Sequence, residues 1–179
     1  VWLLEVLAGK GPDRLEECLT SGMLIAGRAH VAFRHELARL AIEEACAPTR
    51  RLALHRRTLA ALAGRDRDVD FAQLAHHAEA AGDAESVVRW APQAAERAAS
   101  SGAHREAAAQ YARTLRFAGG LSLERRLELL QRRADECYIS DQFAEAIEAQ
   151  QSALAFQRQL GDRCGEGNSL RSLSRLLFF

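Results

Sequence analysis

The chain has 179 residues, 24 basic against 24 acidic side chains, 48% hydrophobic residues and 6% aromatic ones. That length allows one large or two small domains, and a net charge of zero excludes binding to nucleic acid through bulk positive charge. No run approaches the roughly 18 apolar residues a membrane span requires, and the start has neither the charged segment nor the apolar core of a secretion signal, so the expected compartment is the cytoplasm.

Three prolines, twelve glycines and an abundance of Ala, Leu, Glu and Arg predict a mainly α protein. Cys18, Cys46, Cys137 and Cys164 are too far apart for a CxxC motif and too few for a secreted disulfide framework. They read as free, mostly buried thiols. The chain starts at Val1 and ends on the apolar Leu176-Leu177-Phe178-Phe179, and both ends are expected to be cut from a longer polypeptide.

In chain order, two short helices are predicted at Trp2 to Ala8 and Asp13 to Thr20, divided by Gly9-Lys10-Gly11-Pro12, with Asp13 placed to cap the second. Leu24 to Phe33 is two short apolar pieces about Gly27 and reads as a β-hairpin. With the helix that follows, this is the outline of a winged-helix unit. Phe33, Leu37, Leu40, Ala41 and Ala45 share a helical face that stops before Pro48. Leu52, His55, Leu59 and Leu62 mark the next helix, to Gly64, and Arg65 to Asp68 reads as a solvated loop. Asp70 caps a helix that stops at Gly82. A small-residue stripe over Val87, Ala91, Ala94, Ala95 and Ala98 follows, which Pro92 is expected to kink or divide.

The second half carries an internal repeat. Arg105 to Phe117 aligns with Ala144 to Phe156, with Ala107 over Ala146 and Ala95 over Ala134, an offset of 39 residues. Each unit is a helix pair that must stack on its neighbours, which predicts an array of antiparallel helix hairpins. A third unit begins near Asp162 and supplies only Leu170, Leu173 and Leu177. The expected division is 1–47 for the winged-helix remnant and 48–179 for the repeats.

Spacing also tests the candidate chemistry. Gly9-Lys10-Gly11-Pro12 lacks the upstream glycine and the following Ser or Thr of a phosphate-binding loop. His35-Glu36-Leu37-Ala38-Arg39 begins like a zinc-protease helix, but Arg39 occupies the second ligand position. His76 and His77 diverge as helix neighbours and form an incomplete metal site, while His55 sits at the edge of an apolar face. The second predicted helix carries Asp13, Glu16 and Glu17 against Arg14, a poor surface for DNA. Arg50-Arg51 with Arg56-Arg57 is the most basic patch, with Glu43 and Glu44 nearby. No catalytic constellation and no metal site is predicted.

Phe33-Arg34-His35-Glu36-Leu37-Ala38-Arg39, Arg50 to Arg57, Leu74-Ala75-His76-His77-Ala78-Glu79-Ala80-Ala81-Gly82-Asp83 and Gly102 to Ala108 together resemble the large bacterial ATP-dependent LuxR-type transcriptional regulators. These belong to the STAND class of ATPases, which includes the maltose regulator. The resemblance implies the end of a winged-helix module followed by the first part of a tetratricopeptide-like superhelix, although the repeat exceeds the usual 34-residue period. ATP or ADP would bind in the parent protein, and no cofactor is expected in this piece.

The implied partners are the parent's own ATPase and DNA-binding domains, an inducer or partner protein, and further copies of the chain. Direct contact with nucleic acid or membrane is not expected. By analogy of place, His35 with Arg34 would contact ADP phosphate. Arg89, Trp90, Arg97, Tyr111, Arg113, Tyr138 and Gln150 would offer a groove to an inducer or partner. The alternative is a stand-alone helical-repeat scaffold without a nucleotide switch.

Overall fold

The computed structural model describes residues 2–8, 13–28, 30–65 and 69–178. The fold is mainly α. Its described elements are α1 (Trp2–Ala8), α2 (Asp13–Thr20), β1 (Leu24–Ala26), β2 (Val31–Phe33), α3 (Glu36–Ala45), α4 (Pro48–Ala63), α5 (Phe71–Ala80), α6 (Ala84–Ser100), α7 (His104–Arg116), α8 (Leu123–Ile139), α9 (Phe143–Leu160) and α10 (Arg163–Leu176), with one 3-10 turn at Ala118–Gly120. The Gly9–Pro12 turn, the Asp13 side chain and the loop residues 66–68 lie outside what is described. No described helix is long and apolar enough to cross a membrane.

The chain divides into two compact units, residues 1–69 and 70–179. Spacing alone places a boundary at residue 47, but α4 belongs with the first unit because it packs on α1. There Arg57 Nη2 donates to the Leu7 carbonyl at 2.5 Å, occupying an acceptor in the last turn of α1.

The first unit has the order helix, helix, hairpin, helix, helix. β1 and β2 pair antiparallel, Leu24 opposite Phe33 and Ala26 opposite Val31, and Gly27 N–H closes the turn on the His30 carbonyl at 2.8 Å. Among the described residues only Thr58 and Leu59 of this unit are buried.

The second unit is an array in which each helix packs chiefly on its chain neighbours, from α5 to α10. Alanine makes this possible. Ala75, Ala78, Ala91, Ala95, Ala107, Ala146, Ala149 and Ala153 are fully buried, and their small side chains let helix backbones approach closely.

Four of the connections are one turn used repeatedly. Gly82, Gly102, Asp141 and Gly161 adopt φ of 67°, 77°, 60° and 71°. The next residue then donates its N–H to a carbonyl five positions back: Asp83 to Ala78, Ala103 to Ala98, Gln142 to Cys137 and Asp162 to Gln157, at 2.8–2.9 Å. This satisfies a carbonyl in the last turn and reverses the chain within three residues. Gly102 and Asp141 stand at equivalent places of the 39-residue repeat, so the period appears in the backbone as well as in the packing.

Gly102→Ala is expected to cost about 1 kcal/mol, because a Cβ disfavours this conformation, while Asp141→Gly should be neutral to within about 0.5 kcal/mol. Urea unfolding of the two variants measures the asymmetry.

Pro92 does not divide its helix: α6 runs unbroken from Ala84 to Ser100 with Pro92 buried inside it. Pro92 cannot donate to the carbonyl one turn back, which loosens the backbone ladder there. The Gln93 side-chain amide donates to the neighbouring Arg89 carbonyl at 2.8 Å.

Candidate functional site

Each site residue predicted from sequence has a definite place. His35 is the N-cap residue of α3, exposed and extended at φ −127°, and its ring makes no capping bond. Arg34 beside it is exposed, and its guanidinium lies over Gly22. The zinc-protease arrangement is replaced by ion pairs. Arg39 binds Glu36 and Glu43, each at 2.6 Å, and its hydrogen bond holds the Glu36 carboxyl below its usual range.

In the second unit Arg89 stacks over Trp90, 4.3 Å from the ring centroid, and Trp90 stacks in turn on Phe71 at 5.9 Å. Arg97 is exposed in the last turn of α6, where a cation suits the helix dipole. Arg113 is engaged between helices: its Nε meets Glu79 at 2.8 Å and its Nη1 donates to Gln110 at 2.6 Å. Arg116 also holds Glu79. Tyr138 meets Phe143 edge-on at 6.2 Å and lies under Arg175 at 4.6 Å. His76 and His77 do not diverge fully, since their rings meet edge-on at 5.1 Å.

Tyr111 and Gln150 are not presented to a groove. Tyr111 is 2% exposed and packs in a cluster with Ala95, Ala107 and Leu129. Gln150 is buried and donates to Ser169 of α10 at 2.7 Å. The two stand 39 residues apart, at one position of the repeat, and that position faces the neighbouring helices.

The structure gathers a different set of residues across α6, α8 and α10. Arg132 of α8 pairs with Glu128 of its own helix at 3.6 Å and acts electrostatically on the Tyr111 hydroxyl and on Glu96 of α6. Asp135 of α8 interacts with Arg175 of α10 as well as with Arg132. Glu96, Arg132, Asp135 and Arg175 thus bring charges of both signs within electrostatic reach of one another over three helices. Tyr111 is held above the usual phenol range by burial, against the opposing pull of Arg132.

Where the α6–α7 turn meets the end of α8 is a cleft of about 570 Å³ lined by Gly102 to Glu106, Ile139 and Ser140. His104 Nδ1 lies 2.7 Å from Glu136 Oε2, and Arg105 Nη2 donates to the Ser140 carbonyl at 3.3 Å. The Ser140 hydroxyl is turned to the Glu136 carbonyl at 2.8 Å, away from the work of a nucleophile. These groups present paired charges and hydrogen-bonding edges, an arrangement suited to holding a partner.

Asp135 and Glu79 have opposite effects on stability with pH. Burial and the neighbouring Glu136 raise the Asp135 carboxyl above 3.8, although Arg175 and Arg132 oppose them. The folded chain therefore keeps that proton to higher pH, and stability is lost as pH rises from 3.8 through the folded value. At Glu79 burial opposes ionisation, but Arg116 and Arg113 together hold the carboxyl below 4.5, so its stabilisation is present above 4.5 and is lost as pH falls through the folded value.

Asp135→Asn is accordingly expected to raise stability at neutral pH and Glu79→Gln to lower it. Both effects should stay below about 1 kcal/mol, because solvent screens the side chains. Followed by urea titration, the Asp135→Asn gain should vanish as pH falls below 3.8, and the Glu79→Gln loss should vanish as pH falls below 4.5 through the lower folded value of Glu79.

No family model matches the chain, and no curated protein matches it.

Proposed function

We propose that this chain is the regulatory and protein-interaction region of a bacterial LuxR-type STAND regulator. The helix, helix, hairpin, helix unit would be the end of the winged-helix module, and α5 to α10 the start of a tetratricopeptide-like sensor arm. Binding of an effector or partner to the arm would favour one of two conformations of the parent, releasing a resting state closed around ADP and permitting oligomerisation and transcription. ATP chemistry and promoter binding would belong to other parts of that protein.

The observation that carries this reading is the placement of the Phe33–Arg39 segment. It leaves the hairpin and enters α3 with His35 and Arg34 exposed at the helix start, where backbone N–H groups and two basic side chains suit a phosphate. In the array that follows, Gln150 and Ser169 join α9 to α10 at 2.7 Å.

The test is to purify the polypeptide from the uninterrupted reading frame and measure bound nucleotide and promoter affinity. About one ADP per chain together with sequence-specific DNA binding is the expected result. A protein that carries no nucleotide and binds no promoter is instead a stand-alone helical scaffold.

A further inference from the structure

Among the described helices α4 is alone in lacking an acidic residue. From Pro48 to Ala63 it carries Arg50, Arg51, His55, Arg56 and Arg57. At about 100° per residue, Arg50 and Arg57 fall within about 20° of one another, with Ala53 and Leu54 between them and Arg56 on the flank. The opposite side buries Thr58 and Leu59. Arg50, Ala53, Leu54, Arg56 and Arg57 are all exposed, so the solvent face of α4 is a basic ridge around a small apolar strip.

Several arginines elsewhere in the chain meet a carboxylate. Arg39 meets Glu36 and Glu43, Arg113 and Arg116 meet Glu79, Arg133 meets Glu148 and Arg158 meets Glu166. On α4, Arg57 is committed to the Leu7 carbonyl. Arg50 and Arg56 make no ion pair with any described residue, and Glu43 is already engaged by Arg39 at 2.6 Å.

We propose that this face of α4 docks an acidic amphipathic segment of a partner protein. Two unpaired guanidinium groups offer planar donor edges that match carboxylates, and their charge is complementary to such a segment. Ala53 and Leu54 between them supply the dry contact that an apolar side chain of the segment would cover. A nucleic acid fits less well. The helix has no Phe, Tyr or Trp for stacking on bases, and the chain as a whole is neutral.

The test uses the 179-residue chain and a fluorescent helical peptide of about 20 residues with Glu and Leu on one face. Its affinity is followed by anisotropy from about 50 to about 300 mM salt. The peptide should bind, weaken with salt, and weaken on the order of tenfold further on Arg50→Glu/Arg56→Glu. A Gln-for-Glu version of the peptide should not bind. Arg50→Ala/Arg56→Ala, which keeps a strong helix former at both sites, should also weaken binding without altering the melting curve.

The proposal is overturned if the peptide does not bind or if both double variants bind it unchanged. It is also overturned if duplex DNA or an anionic vesicle binds more tightly through the same two arginines. Self-association of the chain that is lost in Arg50→Ala/Arg56→Ala would give the face to a second copy and would equally overturn it.

Discussion

Tyr111→Ala is expected to destabilise the helical array by about 3–5 kcal/mol, the range for emptying a large buried aromatic site. The side chain is 2% exposed and is the largest fully buried one in the described chain. It fills space left by Ala95 and Ala107 and touches Leu129, so α6, α7 and α8 all lose contacts when it is truncated. Arg132 acts electrostatically on its hydroxyl, and Tyr111→Phe isolates the hydroxyl's contribution. The phenylalanine variant should cost about 1 kcal/mol at most, because the ring stays and only the hydroxyl is lost. Urea unfolding followed by circular dichroism measures both. Equal losses for the two variants would mean that the hydroxyl, rather than the packed ring, holds these helices together.

Ala146→Leu has the next largest expected effect, about 1–3 kcal/mol, by overpacking. Ala146 is fully buried against Ala108 of α7, Cys137 of α8 and Leu176 of α10, so one position on α9 sits among three other helices. Three added carbon atoms there must push helices apart or force strained rotamers. Ala144→Leu, two residues earlier and exposed, provides the comparison and should stay within about 0.5 kcal/mol of the original chain. Similar losses at the two positions would contradict the close helix approach assigned to the buried alanines.

Much of this architecture is legible in the sequence because it rests on local rules. Asp70 accepts from the Ala72 and Gln73 N–H groups, as its place before an apolar helix predicts. Gly82, Gly102 and Gly161 mark turns that need a left-handed residue. Gly27 sits in the hairpin turn, and α4 starts at Pro48 and stops at Gly64. Pro92 is the instructive departure. Residue rules predict a kink or a division, and the division does not occur: Pro92 is buried within an unbroken α6.

The candidate site is less legible, since it depends on which faces meet. Tyr111 and Gln150 look like groove residues by side-chain chemistry. Their place four positions after Ala107 and Ala146, one helical turn along the same face, is the signal that puts both in the core. Glu96, Arg132, Asp135 and Arg175 are ordinary surface charges in sequence, and only the folding of the helical array brings them within electrostatic reach. His104 and Glu136 are likewise 32 residues apart and meet because the α6–α7 turn abuts α8.

The central claim, that this chain helps hold a nucleotide switch closed, is tested most directly by the ADP dissociation rate of the intact parent protein carrying His35→Ala. His35 is exposed at the start of α3 and makes no capping bond, so its removal should leave the fold and the melting curve unchanged. The account predicts ADP release at least about tenfold faster, the loss of one charge-assisted phosphate contact, with raised basal transcription. Unchanged ADP release together with unchanged basal transcription would contradict it.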